Sequence, residues 1–297
     1  MKNTYKAALV LCLILALTSC FVACKEKAQS PEGVLQEISR EEDVRAVQTD
    51  EETKENGEKP SEPIGEEREV EKEDEKAVAV SQNEKEETEI TYLVSNADGL
   101  NVRKGAGVGY PSLGTLDKGD AVLLLGEEGD FYKTKYYGTD AFVAKKYVEK
   151  FAMEKADEKI EKVIEKGCEV LGTPYVYGAT RLHNGFGKIN KGFSDKEFDC
   201  SSLMQYIFYY GANIYLQVNT RTQVFQGESV KKEEVKRGDL LFLTNDSRKD
   251  KKGTERVGHV ALYLGNNYIL HTASDHAVIE QMTAKRWAYF ICARRVI

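Results

Sequence analysis

The sequence predicts an α+β protein: a small all-β barrel followed by a larger domain that combines helices with an antiparallel sheet. Three observations carry that expectation. Turn signals recur at short intervals between residues 97 and 139, with short β-forming runs between them. From residue 160 the apolar positions change to helical spacing. After residue 237 the chain reads as successive strands joined by tight turns.

The chain has 297 residues, 41% of them hydrophobic, a length that suits about two domains of roughly 100–200 residues each. Residues 1–19 read as an export signal. Lys2 and Lys6 supply a short positive region, and Ala7 to Leu17 is an apolar run too short to span a bilayer. The following Leu17-Thr18-Ser19-Cys20 resembles a bacterial lipoprotein signal, which implies cleavage before Cys20 and lipidation of its thiol. Residues 20–89 then read as an acidic tether. Residues 31–90 hold 22 Asp or Glu against 8 Lys or Arg, and three of the five prolines (Pro31, Pro60 and Pro63) lie in this stretch. Such a segment buries too little apolar surface to offset its chain entropy. The whole chain carries −7, so the foldable remainder is mildly basic, which suits an anionic polymer or membrane surface.

Residues 90–150 form the predicted barrel. Ala121 to Leu125, Phe131 to Tyr136 and Ala141 to Val143 are the clearest strands. Turns fall at Ala97-Asp98-Gly99, Lys118-Gly119-Asp120, Glu128-Gly129-Asp130 and Tyr137-Gly138-Thr139. The string GLNVRKGAGVGYPSLGTLDKGD, followed by FYKTKYYGTDAFVAKKYV, resembles the bacterial Src-homology-3-like domain. Phe131 stands where that family more often has tryptophan. The resemblance implies binding of wall peptide or glycan, or partial covering of a neighbouring active site. A purely architectural role stays open.

Residues 151–297 carry the chemistry. Ile160, Ile164, Cys168 and Leu171 fall on one helical face, which makes Cys168 a core thiol, and Gly172 and Pro174 are expected to end that helix. A second helix begins at Cys200, with Asp199 as its cap. Leu203, Tyr206/Ile207 and Tyr210 form its apolar face, and Gly211 is its expected stop. A thiol in the first turn feels the positive end of the helix dipole, which favours thiolate. Arg237-Gly238-Asp239 reads as a turn into a strand. Val257 to Leu264 and Tyr268 to Thr272 read as two more strands. With a three-residue turn at Gly265-Asn266-Asn267, Ala261 pairs with His271, and His259 and His271 share a face. A two-residue turn would separate them. On a shared face one imidazole can serve as base to the thiol while the other orients it.

Three features together closely resemble the NlpC family of papain-like cell-wall peptidases over about residues 155–297. They are Phe198-Asp199-Cys200-Ser201-Ser202 heading a helix, Arg237-Gly238-Asp239-Leu240, and Gly258-His259-Val260-Ala261-Leu262-Tyr263-Leu264-Gly265 with His271 twelve residues after His259. The resemblance implies a papain-like domain that hydrolyses peptidoglycan stem peptides, typically between γ-D-glutamate and a diamino acid. It implies Cys200 as nucleophile, His259 as general base, His271 as the orienting third residue and Tyr175 near the oxyanion. Asp199 and Ser201 fall at positions that help hold substrate. Two departures stand out: some 24 residues separate Tyr175 from Asp199, longer than usual, and Ser202 replaces the usual glycine. Thr220, Arg221 and Gln223 lie in a stretch that often lines the groove.

Alternatives remain on this evidence: an amidase cutting between muramic acid and L-alanine, a catalytically inactive wall-binding lipoprotein, or zinc held by Cys200, His259 and His271 without an obvious fourth ligand. His183 and His276 read as surface residues, and Cys292, beside Tyr289-Phe290-Ile291, as core. A nucleophile must stay a free thiol, which argues against a disulfide framework. The expected whole is a monomeric, exported, lipid-anchored protein facing the cell wall, with no cofactor, no metal and no nucleic-acid partner.

Overall fold

The computed structural model describes residues 88–272 and 275–297. The expected signal, Cys20 and the tether up to residue 87 lie outside the described residues. Eight strands come first: β1 (Glu89–Ser95), β2 (Leu100–Arg103), β3 (Ser112–Leu116), β4 (Ala121–Leu123), β5 (Gly126–Glu128), β6 (Phe131–Tyr136), β7 (Thr139–Ala144) and β8 (Val148–Glu154). Helices α1 (Glu158–Glu169), α2 (Cys200–Ala212) and α3 (Thr220–Gln223) follow. The chain then runs through β9 (Glu228–Val230), β10 (Leu240–Leu243), β11 (His259–Gly265), β12 (Tyr268–Thr272), β13 (Ala277–Gln281), α4 (Ala284–Ala288) and β14 (Phe290–Arg295). Among the described residues no helix is long and apolar enough to cross a membrane.

The architecture is α+β with antiparallel pairing, but the small domain is not a closed barrel. Strands β3-β2-β7-β6-β5 form one five-stranded sheet. Strands β8, β1 and β4 instead extend the sheet of the larger domain, which runs β8-β1-β4-β13-β12-β11-β10-β14-β9. The junction is the pairing of Ala121 in β4 with Ile279 in β13. The physical reason lies in the apolar strands: Tyr92 and Leu93 of β1 and Ala121 and Val122 of β4 are fully or almost fully buried, in one core with Ile279 and Leu270.

Helices α1 and α2 pack over this core. Ile160, Ile164, Cys168 and Leu171 are all buried, as their spacing predicts. On α2 the buried face is Leu203, Met204, Ile207 and Phe208, while Tyr210 is exposed. Each of these four is worth on the order of 1.5–3 kcal/mol at most. Two boundaries differ from expectation. Helix α1 ends at Glu169, before Gly172. Gly211 does not end α2; Asn213, with φ +57°, caps it. Gly211 is where the helices touch: a Cβ there would sit 2.5 Å from the Val163 Cα, so only glycine permits the crossing.

The β11–β12 hairpin positions the chemistry. Its turn has two residues, Asn266 and Asn267, with φ +48° and +67°. On that turn alone His259 and His271 would face apart. Gly265 pairs with Tyr268, yet Tyr263 pairs with Ile269 and Leu262 with Leu270, so β11 holds one extra residue in a bulge. Continuing that register sets Ala261 opposite His271, and His259 shares the face. The expected outcome is reached by a two-residue turn plus a bulge in place of a three-residue turn. Gly265 sits at φ +90°, and a Cβ there would find its nearest neighbour, Arg237 Cβ, at 4.0 Å. The glycine is therefore needed for its backbone angle, not for space. Gly265→Ala should cost about 1–2 kcal/mol by denaturant unfolding. An unchanged midpoint would show that the bulge relaxes freely.

Candidate active site

Cys200 opens α2, and the chain before it explains why. Asp199 is extended and caps the helix: its Oδ1 accepts from the Ser201 and Ser202 amides at 3.0 and 2.8 Å. Ser202 Oγ accepts from the Asp199 amide in return at 2.9 Å, a reciprocal capping box. The serine at 202 thus has a structural use that glycine lacks. Asp199 Oδ2 pairs with Arg181 at 2.8 Å, and Ser201 Oγ donates to Asp199 Oδ1 at 3.0 Å. Asp199 and Ser201 are both buried. Gln223 is buried beneath them and donates to the Ser201 carbonyl at 3.0 Å.

A cleft of about 610 Å³ brings Cys200, His259, His271 and Tyr175 to one surface, with Asn245, Thr283, Lys285, Arg286 and Tyr289 completing its walls. A larger hollow of about 840 Å³ lies elsewhere, beside the start of α1 and the hairpin turn, and contains no cysteine or histidine. His259 Nε2 and His271 Nδ1 are hydrogen-bonded at 2.8 Å, the rings meeting edge-on with centroids 5.0 Å apart. His271 Nε2 in turn meets Glu280 Oε1 at 2.6 Å. Arg286 clasps the same Glu280 oxygen.

Burial favours the neutral forms of the Cys200 thiol and the His259 imidazole. Burial, then the Asp199 carboxylate, push the Cys200 thiol up to about 12, although the Val260 and Ser201 main chains and Arg181 favour thiolate. The sequence expectation of a dipole-favoured thiolate is corrected here: desolvation outweighs the helix dipole. Burial, then His271 and Arg286, hold His259 well below its usual value. Burial also lowers His271, against the pull of Glu280. For Glu280, burial acts to raise the carboxyl, but His271 and Arg286 outweigh it and the group stays ionised. Burial, then Cys200, raise Tyr175 and keep its hydroxyl protonated.

Glu280, Arg286 and Arg181 were not singled out from sequence. Glu280 announces itself only as a charge directly after the apolar run Ala277 to Ile279. Its facing depends on the β12–β13 register, in which Val278 pairs with His271 and Glu280 with Ile269. His183 is a correction: it is 1% exposed, not a surface residue. The long segment after Tyr175 folds back, and His183 packs against Tyr209 and Tyr215 and bonds the Gly185 amide. His276 is partly exposed and bonds Asp275 at 2.7 Å. Cys168, Cys200 and Cys292 are free thiols, Cys292 half-buried. Among the described residues no group of three or more His, Cys, Asp or Glu is placed to hold a metal ion.

Comparison with known proteins follows the same two segments. Residues 172–296 match the model of the NlpC/P60 family and residues 98–149 that of the bacterial SH3 domain. The γ-D-glutamyl-L-lysine dipeptidyl-peptidase of Bacillus subtilis is 29% identical over 175 residues, covering 58% of this chain and 52% of that protein. The peptidoglycan endopeptidase RipA of Mycolicibacterium smegmatis is 33% identical over 113 residues, covering 38% of this chain and 21% of that one. The chain thus spans about half of the first relative's length and about a fifth of the second's. A solved NlpC/P60 family protein from Bacillus cereus aligns with a TM-score of 0.38 and 21% identity, over 73% of this chain and 66% of that one. The chain carries an NlpC/P60 family domain over residues 172–296, preceded by a bacterial SH3 domain over residues 98–149.

Proposed function

We propose that this protein is an exported cell-wall hydrolase, a cysteine peptidase that cuts peptidoglycan stem peptides at the bond between γ-D-glutamate and a diamino acid. The observation that carries this reading is the 2.8 Å contact between His259 and His271 on the wall of a cleft shared with the helix-heading Cys200. The names of the Bacillus and Mycolicibacterium relatives support the substrate class.

In this reading Cys200 is the nucleophile, His259 its base and His271 the residue that orients the base. The resting thiol and imidazole are both neutral, so the proton leaves Sγ as the substrate carbonyl approaches. His259 takes that proton and later gives it to the departing amine. The protonated Tyr175 hydroxyl donates to the oxyanion. Water then releases the acyl-enzyme. Asp199 and Ser201 serve the substrate by holding the turn that aims Cys200. Cys20 carries the lipid, residues 20–89 space the enzyme from the membrane, and the monomer works facing the wall.

The test is digestion of purified peptidoglycan by the full chain, with released fragments weighed by mass spectrometry. New termini at γ-D-glutamate and at the diamino acid are expected. Whole stem peptides freed from muramic acid would identify an amidase instead, and intact sacculi after exposure to folded protein would leave only a wall-binding role.

A further inference from the structure

The hydrogen-bonded line does not end at His271. We propose that Glu280, fixed by Arg286, is a positioning residue that sets the tautomers of both histidines and so makes His259 a base toward Cys200. This inference rests on the peptidase reading above and extends it to the far side of the site.

The argument runs through donors and acceptors. An ionised carboxylate only accepts hydrogen bonds. Glu280 therefore requires the proton of neutral His271 to sit on Nε2, 2.6 Å away. His271 Nδ1 is then a lone pair, and it requires the proton of His259 to sit on Nε2, 2.8 Å away. The remaining nitrogen of His259, Nδ1, is left unprotonated and able to accept the Cys200 proton. If Glu280 carried no charge, His271 would be free to hold its proton on Nδ1. The bond to His259 would then reverse, and the His259 proton would move to the nitrogen that must be empty. When His259 becomes an imidazolium during turnover, the carboxylate at the end of the line also stabilises the added charge. Glu280 stays ionised throughout: the proton passes from Sγ to His259 Nδ1 and on to the departing amine, never to the carboxylate.

Arg286 is what keeps Glu280 in place. Its guanidinium binds the Glu280 oxygen that faces His271, and it also donates to the Gln281 carbonyl at 3.3 Å. It sits on α4, whose cap is Thr283, bonded to the Arg286 amide at 3.2 Å. The short helix is thus anchored just where it must deliver the arginine. Two further titratable groups bear on this line, Asp120 from the small domain on Glu280 and His276 from the segment before β13 on His271. Asp120 lies close enough for Glu280 to raise it, after burial, to about 6.

The test uses Glu280→Gln in the full chain, with two independent assays. In stem-peptide hydrolysis, kcat should fall about 10- to 100-fold with KM within about twofold. The acid limb of the pH–rate profile should move to lower pH, because the lost carboxylate no longer supports the imidazolium. Glu280→Asp should recover part of the rate. In the second assay, iodoacetamide alkylation of Cys200 near pH 7 should slow by a similar factor. That assay needs no substrate: a wild type that does not cut peptidoglycan defeats the peptidase reading, while the alkylation ratio still judges this proposal. Histidine ¹⁵N spectra of the wild type give a third measurement, independent of any variant's folding. A neutral His271 with its proton on Nε2 supports the assignment; a proton on Nδ1 overturns it. Equal rates and an unmoved acid limb in folded Glu280→Gln would overturn it as well.

Discussion

Cys200→Ala should lower stem-peptide hydrolysis by at least about 10,000-fold while the protein stays folded. Loss of a nucleophile in a thiol or hydroxyl site removes the covalent route altogether and leaves only binding and oxyanion contacts, so effects of about this size are the rule. The fold should survive because Cys200 contributes little to holding its helix. The capping box of Asp199 and Ser202 sets the first turn, and alanine is the best helix former. His259→Ala should lose nearly as much, and the double variant scarcely more, since base and nucleophile act in one step. Cys168→Ala should keep activity and lose on the order of 1 kcal/mol or more of packing, being 2% exposed in the core. Initial rates on purified stem peptides, with melting curves for each variant, check all four. Full activity in folded Cys200→Ala would remove the peptidase reading.

Arg237→Ala should have the largest effect on stability, about 3–5 kcal/mol. Arg237 is 7% exposed, and its guanidinium binds four oxygens on three residues from three parts of the chain. It binds both Glu161 oxygens on α1 at 2.7 Å, Tyr92 Oη on β1 at 3.0 Å and the Leu264 carbonyl in the hairpin at 2.7 Å. Burial opposes its charge, but Glu161 and Tyr92 more than compensate and hold it protonated. Removing it takes away the phenol's and the carbonyl's guanidinium partner and leaves a half-buried carboxylate held only by the Ala156 amide. The Leu264 carbonyl lies next to Gly265, so the loss also loosens the bulge that brings His259 and His271 to one face. At about 2–4 °C per kcal/mol for a domain of this size, the melting temperature should drop by roughly 6–20 °C. A drop under about 2 °C would mean that water replaces the guanidinium without cost.

How far the sequence could be read differs from element to element. The stripe Ile160, Ile164, Cys168, Leu171 and the cap Asp199 were legible because both depend on neighbours within one helix turn. The strands around His259 and His271 were legible from their β-formers. The bulge was not, because one extra residue in a hairpin is decided by how the strands pack. Gly211 shows the same limit: it reads as a helix stop, yet its use is a close crossing with Val163. In the candidate site the cysteine and two histidines stood out through their motifs. Glu280 and Arg286 lie in segments with no motif, and their role arises from the pairing of β12 with β13 and the placement of α4. The burial of His183 likewise follows from the path of a long connection that no periodicity describes.

The pairing of β4 with β13 has a consequence for solubility. A strand at the rim of a sheet offers unpaired amides and carbonyls to any passing chain. Without β4, β1 and β8, the rim of the larger domain would be β13, whose Ala277, Val278 and Ile279 are buried and apolar. The small domain meets that rim at one pair, Ala121 with Ile279, and carries the sheet on to β8, where Glu149, Lys150 and Glu154 stand exposed. At the opposite rim β9 is only three residues long. Both borders are thus poor templates for a further strand, one by charge and the other by brevity. The small domain thus leaves less apolar strand edge bare on the domain it precedes.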